Sequence, residues 1–145
     1  TAAFAEMPKP EILLIPGGPG HRALLTDTGY LSQLKQLSLQ ASYVLTVCTG
    51  AVVLAKTGLL SGRNATSNKM LFDWAVEQAP DVNWQKKARW VVDGKFYTSS
   101  GVSAGMDMAL AFIKEMLGEK ATREVLNITE FIWNSDKNYD PYAVD

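Results

Sequence analysis

The sequence is poor in the side chains that most often carry chemistry: its 145 residues include one cysteine, Cys48, and one histidine, His21. A single cysteine excludes an internal disulfide, and with one histidine beside it no zinc-ligand set of the usual spacing can be written. No apolar run reaches the twenty or so residues that a bilayer span requires, and no secretory leader is legible, which points to a reducing, cytoplasmic setting. Charge of one sign is lacking too. Fourteen Lys and Arg offset fifteen Asp and Glu to a net charge of -1, with no basic stripe to meet phosphates or anionic lipid. Neither nucleic acid nor a membrane surface is an expected partner. The glycine-rich stretch Gly17-Gly18-Pro19-Gly20 lacks both the Lys-Ser/Thr of a phosphate loop and the dinucleotide spacing, so no cofactor and no metal is expected.

What is present suits a globular domain. Apolar residues make up 47% of the chain, enough for one domain over residues 1–145 to bury roughly two-thirds of its unfolded surface. Glu11-Ile12-Leu13-Leu14-Ile15 reads as a buried parallel strand that feeds Pro16-Gly17-Gly18-Pro19-Gly20. Asp27 or Thr28 can cap a helix carrying Leu31, Leu34 and Leu37 at helical spacing, and Tyr43-Val44-Leu45-Thr46-Val47 follows as a second buried strand. After Cys48, Gly50 to Lys56 has helical composition, with Gly58 as its left-handed C-cap. Ser67 is placed to cap a helix through Leu71, Trp74 and Ala75. Arg89 to Thr98 reads as a hairpin turning at Asp93-Gly94. Met106 to Leu117 forms a helix ended by Gly118, and Ala121 to Phe131 another. Strands alternating with helices predict an α/β fold with a parallel sheet covered on both faces. Trp74, Trp90, Met106 and Met108 lie within these elements and read as core.

The strongest chemical signal is Val47-Cys48-Thr49-Gly50-Ala51, a cysteine between a β-branched strand and a helix that opens with small residues. The logic is that of a nucleophile elbow: the side chain leaves the carboxyl edge of the sheet, where a helix N-terminus favours a thiolate and where open α/β sheets bind ligands. A lone cysteine is equally at home as a small buried hydrophobe, and the local pattern leaves both readings open. Backbone N–H groups of Gly17 and Gly18 could join that of Thr49 in an oxyanion hole, or the glycines simply serve a tight turn. His21 is the one orthodox base in the neighbourhood, or else a solvated loop residue. Gly101 to Asp107 opens a helix at the same edge, with Asp107 either facing the site or favouring the helix dipole.

Taken in order, Ile15-Pro16-Gly17-Gly18, Val47-Cys48-Thr49-Gly50, Gly58-Leu59-Leu60-Ser61-Gly62-Arg63-Asn64-Ala65-Thr66 and Gly101-Val102-Ser103-Ala104-Gly105-Met106-Asp107 resemble the isocyanide hydratase branch of the ThiJ/PfpI superfamily. The likeness extends to the tail, through Glu130-Phe131-Ile132-Trp133 and Asp140-Pro141-Tyr142. It implies a flavodoxin-like three-layer α/β/α sandwich, a homodimer, a small-molecule substrate, and Cys48 as nucleophile with Gly18 and Thr49 as oxyanion donors. Gly17, Asn68, Val102 and Asp107 would line the substrate site. In such enzymes the thiolate attacks the isocyanide carbon and water releases an N-substituted formamide.

Three departures accompany the resemblance. The acidic residue that the family sets beside its cysteine, and the family's first strand and helix, belong upstream of the matched stretch; with Thr1 in place of Met, either a truncated domain or a strand supplied by another chain is expected. Asn68 stands where the branch commonly has histidine. Thr49 replaces the histidine that follows the cysteine in the superfamily's intracellular proteases, which sets peptide hydrolysis behind small-electrophile chemistry. A glyoxalase or deglycase activity, or a non-catalytic ligand-binding or redox-sensing domain, is the alternative.

Overall fold

The computed structural model describes Ala3 and residues 6–143, so the expected limits of the domain at Thr1 and Asp145 lie outside the described residues. Along the chain it forms β1 (Ile12–Ile15), α1 (His21–Leu24), α2 (Thr28–Gln40), β2 (Tyr43–Val47), α3 (Gly50–Lys56) and β3 (Asn64–Ala65). These are followed by α4 (Phe72–Gln78), β4 (Asn83–Trp84), β5 (Trp90–Asp93), β6 (Phe96–Ser99) and α5 (Val102–Thr129). The main sheet runs β1-β2-β6-β5; β1, β2 and β6 are parallel, and β5 returns antiparallel through the Asp93-Gly94 hairpin. The two-residue strands β3 and β4 pair with each other in a separate small parallel sheet.

Strand alternation divides the core in two. Leu13, Ile15, Val44 and Phe96 face one side and pack with Leu34 and Leu37 of α2 and with Val52, Val53 and Leu54 of α3. Leu45, Trp90 and Tyr97 face the other side, against Met108 and Phe112 of α5. The fold is therefore α/β with a mostly parallel sheet between helical layers. Each fully buried aliphatic side chain contributes about 2 kcal/mol of transfer free energy, so the first cluster holds α3 immovably behind the sheet. Asp27 caps α2 as expected, its Oδ1 accepting the Tyr30 N–H at 2.9 Å. At the other end of that helix Lys95 Nζ donates to the carbonyls of Ser38, Leu39 and Ala41 at 2.7, 3.1 and 2.8 Å, satisfying groups the helix cannot pair itself.

Several expectations need correction. β1 is an outer strand of the sheet, and Ile12 and Leu14, on its α5 side, are 50% and 58% exposed, because α5 covers β2 and β6 but does not reach over β1. The two C-terminal helices begin four residues early, at Val102, and run on to Thr129 with a break where Gly118 adopts φ 82°. Ser67 caps nothing; α4 starts at Phe72, and the Ser67 hydroxyl donates elsewhere. Trp90 and Met108 are core, and Trp74 packs against the core while also lining a cleft, whereas Met106 is half exposed.

Candidate active site

The carboxyl ends of β1 and β2 are adjacent, Ile15 opposite Thr46, so the loop after β1 and the turn after β2 meet. Cys48 stands in that turn with φ +59°, a left-handed conformation that costs a non-glycine residue about 1–2 kcal/mol. Three contacts enforce it. The Cys48 N–H donates to Ser99 O at 3.2 Å, at the end of β6, and the Cys48 carbonyl accepts the Ser67 hydroxyl at 3.0 Å. The third is steric. A Cβ on Gly17 would lie 2.7 Å from the Cys48 Cβ and 3.0 Å from Thr49 N, and one on Gly50 would lie 2.4 Å from the Ile15 carbonyl oxygen. Only glycine lets the two loops approach this closely, which explains why both turns are glycine-rich.

The half-buried thiol opens on a cleft of about 290 Å3. Gly18, Pro19, His21, Cys48, Thr49 and Asn68 line its polar side, with Met70, Leu71 and Trp74 as an apolar wall and the Arg22 guanidinium 5.8 Å from the Trp74 ring. Gly18 N–H donates to Thr49 Oγ1 at 3.1 Å. That bond ties the two loops together, and it leaves the buried Thr49 hydroxyl with a proton of its own to donate. The expected backbone donors are therefore not equivalent: Gly18 already has a partner, which a developing anion would have to displace. Asn68 accepts the Leu71 N–H at 3.2 Å through Oδ1, so what it offers a ligand is its N–H2 group. His21, read either as a base or as a solvated residue, is half-buried on the cleft wall. Its Nδ1 is enclosed without a hydrogen-bond partner, and burial lowers its pKa below the ordinary value, favouring the neutral imidazole.

The structure therefore brings Gly18, Cys48, Thr49 and Asn68 together around the cleft, with Gly17 packed against Cys48 and not on the cleft wall. It does not bring Val102 or Asp107 to the cleft. Val102 is 74% exposed and lines a neighbouring groove that Asn68 also borders. Asp107 is buried in an ion pair: its Oδ2 accepts Arg89 Nε–H at 2.7 Å and lies 2.5 Å from Arg89 Nη2, while Oδ1 accepts the Asn134 N–H at 2.9 Å. Its carboxylate holds the tail rather than a substrate. Trp74 and Met70, which read as core or went unremarked, are cleft residues; the only signal for Met70 was its place just after Ser67-Asn68. Among the described residues no group of three or more His, Cys, Asp or Glu side chains could hold a metal ion, and no helix is long and apolar enough to cross a membrane.

Residues 3–115 match the DJ-1/PfpI family. An isonitrile hydratase from Pseudomonas putida is 36% identical over 120 residues, covering 81% of this chain and 50% of that protein. The HTH-type transcriptional regulator GlxA of Rhizobium meliloti is 36% identical over 92 residues, 63% of this chain and 28% of the regulator. Among solved structures, a ThiJ/PfpI family protein from Pseudomonas syringae superposes with a TM-score of 0.79 at 28% identity, covering 90% of this chain and 54% of that one. The chain thus spans about half the length of the isonitrile hydratase and of the Pseudomonas syringae protein.

Proposed function

Since the chain belongs to the DJ-1/PfpI family, we propose that it acts on small electrophiles through Cys48, as a cysteine-dependent hydratase of isocyanides. The observation that carries this reading is the strained Cys48, held at φ +59° against Gly17 at the mouth of an apolar cleft. A backbone conformation that costs free energy persists where surrounding contacts enforce it, and such residues cluster at functional sites. The likeness to an isonitrile hydratase supports the choice of substrate class.

In the proposed reaction Cys48 Sγ bonds to the terminal carbon of R–N≡C while that carbon gains a proton, giving the thioimidate R–N=CH–S–Cys48. Water then adds to the same carbon, the C–S bond breaks, sulfur recovers its proton, and the N-substituted formamide R–NH–CHO leaves. Charge that develops on nitrogen and oxygen is met by hydrogen-bond donors of the cleft, the Thr49 hydroxyl and the Asn68 N–H2. The apolar side formed by Pro19, Leu71 and Trp74 suits an apolar R group. By resemblance, the working form is proposed to be a cytoplasmic homodimer without a cofactor.

The test is turnover of an aryl or alkyl isocyanide followed by NMR of the formamide, with Cys48→Ser alongside. The expected result is formamide from the native protein and a loss of at least a thousandfold in Cys48→Ser. Equal turnover by both proteins would refute the role of Cys48. A second reading is favoured by the likeness to a transcriptional regulator: a domain that binds a small ligand in the same cleft without turning it over. Saturable isocyanide binding without formamide would select it.

A further inference from the structure

Beside the cysteine cleft lies a groove of about 550 Å3 that the reaction above does not use, bounded by the Asn68–Met70 turn, the first turn of α5 and the tail at Asp140 and Tyr142. Lys69 stands on its wall. Its Nζ donates to Thr66 Oγ1 and to Ala88 O, both at 2.7 Å, which immobilises the end of a side chain that would otherwise sample many rotamers. Asp140 also lines the groove, with its side chain only 1% exposed. Oδ1 of Asp140 accepts the Tyr142 N–H at 3.0 Å and lies 3.7 Å from Arg89 Nη1, whereas Oδ2 is enclosed and accepts no hydrogen bond. Burying a carboxylate oxygen without a donor costs on the order of 1–3 kcal/mol, a cost relieved when a proton-bearing group enters.

We propose that this groove is a second reactive site, in which Lys69 condenses with a small aliphatic aldehyde and Asp140 carries the protons. The lone pair of the neutral Lys69 amine bonds to the carbonyl carbon while the C=O pair moves onto oxygen. The nitrogen's proton passes through water of the groove to the Asp140 carboxylate and returns the same way to that oxygen, forming a carbinolamine. Loss of this hydroxyl as water, with the second nitrogen proton leaving, creates the C=N bond, so that aldehyde and amine give imine and water with nothing oxidised or reduced. The groove suits such a ligand: Ser100 and Ser103 border it, and the exposed Val102 and half-exposed Met106 accommodate a short apolar tail. Burial lowers Lys69 to about 8, the nearby Asp140 charge only partly opposing that shift, so on the order of a tenth of the amine is neutral near pH 7.

The proposal does not depend on Cys48 chemistry, and its test uses the intact chain. Propanal and cyanoborohydride near pH 7 reduce any imine to a stable propylamine, which peptide mass mapping over time assigns to individual lysines. Lys69 is expected to be labelled first, at least about tenfold faster than the exposed Lys35 and Lys56, although it is less accessible than either. Asp140→Asn keeps an oxygen for the Tyr142 N–H and is expected to slow labelling of Lys69 alone. Labelling of Lys69 no faster than of Lys35 overturns the proposal. Fast labelling that is unchanged in a folded Asp140→Asn protein overturns the part given to Asp140. Should that variant fail to fold, the native time course still decides whether Lys69 is the reactive amine.

Discussion

The turn at Cys48 and the clamp at Arg89 both fix a loop against the end of the sheet, but by opposite means. At Cys48 the parts are small and neutral, and position comes from atoms that would collide if anything were added at Gly17 or Gly50. At Arg89 the parts are large and charged: the guanidinium is buried between Asp107 and Asp140, and the Asn134 N–H and Trp133 indole N–H complete the contacts at Asp107. Steric confinement holds one atom to a fraction of an ångström and leaves it reachable, which a nucleophile needs. The charge clamp engages both carboxylate oxygens of Asp107 and suits a structural tail. This is why Asp107, although it follows a glycine-rich turn at the same edge, holds the tail and does not line the cleft.

Breaking the clamp should have the largest effect. Arg89→Met strands Asp107 and Asp140 as unpaired buried carboxylates, and a loss of about 3–5 kcal/mol is expected, read as a fall of roughly 10 °C in Tm together with proteolytic exposure of residues 134–143. Because the charges are buried, added salt should leave that loss nearly unchanged. Crowding the turn comes next. Gly50→Ala forces a methyl group onto the Ile15 carbonyl and should cost about 3 kcal/mol, whereas Gly17→Ala, pressing on Cys48 itself, should cost about 1–3 kcal/mol and also change the rate at which iodoacetamide alkylates the thiol. If Gly17→Ala leaves both stability and alkylation unchanged, the two loops do not confine each other. The smallest effect sharpens the contrast: Cys48→Gly relieves the left-handed strain, so it should be as stable as Cys48→Ala or more stable by up to about 1 kcal/mol, measured by denaturant melting. Greater stability of the alanine variant would show that the turn is not strained.

Much of this was legible along the chain, and what was missed has a common cause. Apolar runs that stop at glycine marked β1 and β2 with their turns, and Asp93-Gly94 marked the hairpin, because these signals lie within a few consecutive residues. The ends of α5 were harder to read, since a helix opening at Val102-Ser103-Ala104-Gly105 has weak local propensity and is held by packing on β6. Pairings such as Arg89 with Asp107 or Thr49 with Gly18 join residues far apart in sequence, so no local pattern announces them. The exposure of Ile12 and Leu14 was misread for a related reason: an apolar run says that a strand prefers cover, not that cover is supplied. At the candidate site, Cys48, Thr49, Gly18 and Asn68 fall within motifs and line the cleft, and Gly17 stands against Cys48, whereas nothing local marks Trp74 as a cleft residue, since an aromatic residue at helical spacing usually means core.

That outer strand also bears on how the protein behaves in bulk. Among the described residues β1 pairs with another strand on one side only, and two branched side chains, Ile12 and Leu14, stand exposed on it. In colloidal terms it is a template: no lysine or proline interrupts Ile12 to Ile15, so a further strand can add to it backbone to backbone. A strand supplied from elsewhere in the polypeptide or from a second molecule would extend the sheet at this edge, and a charge set at Leu14 would oppose that addition without touching the cysteine on the far side of the turn.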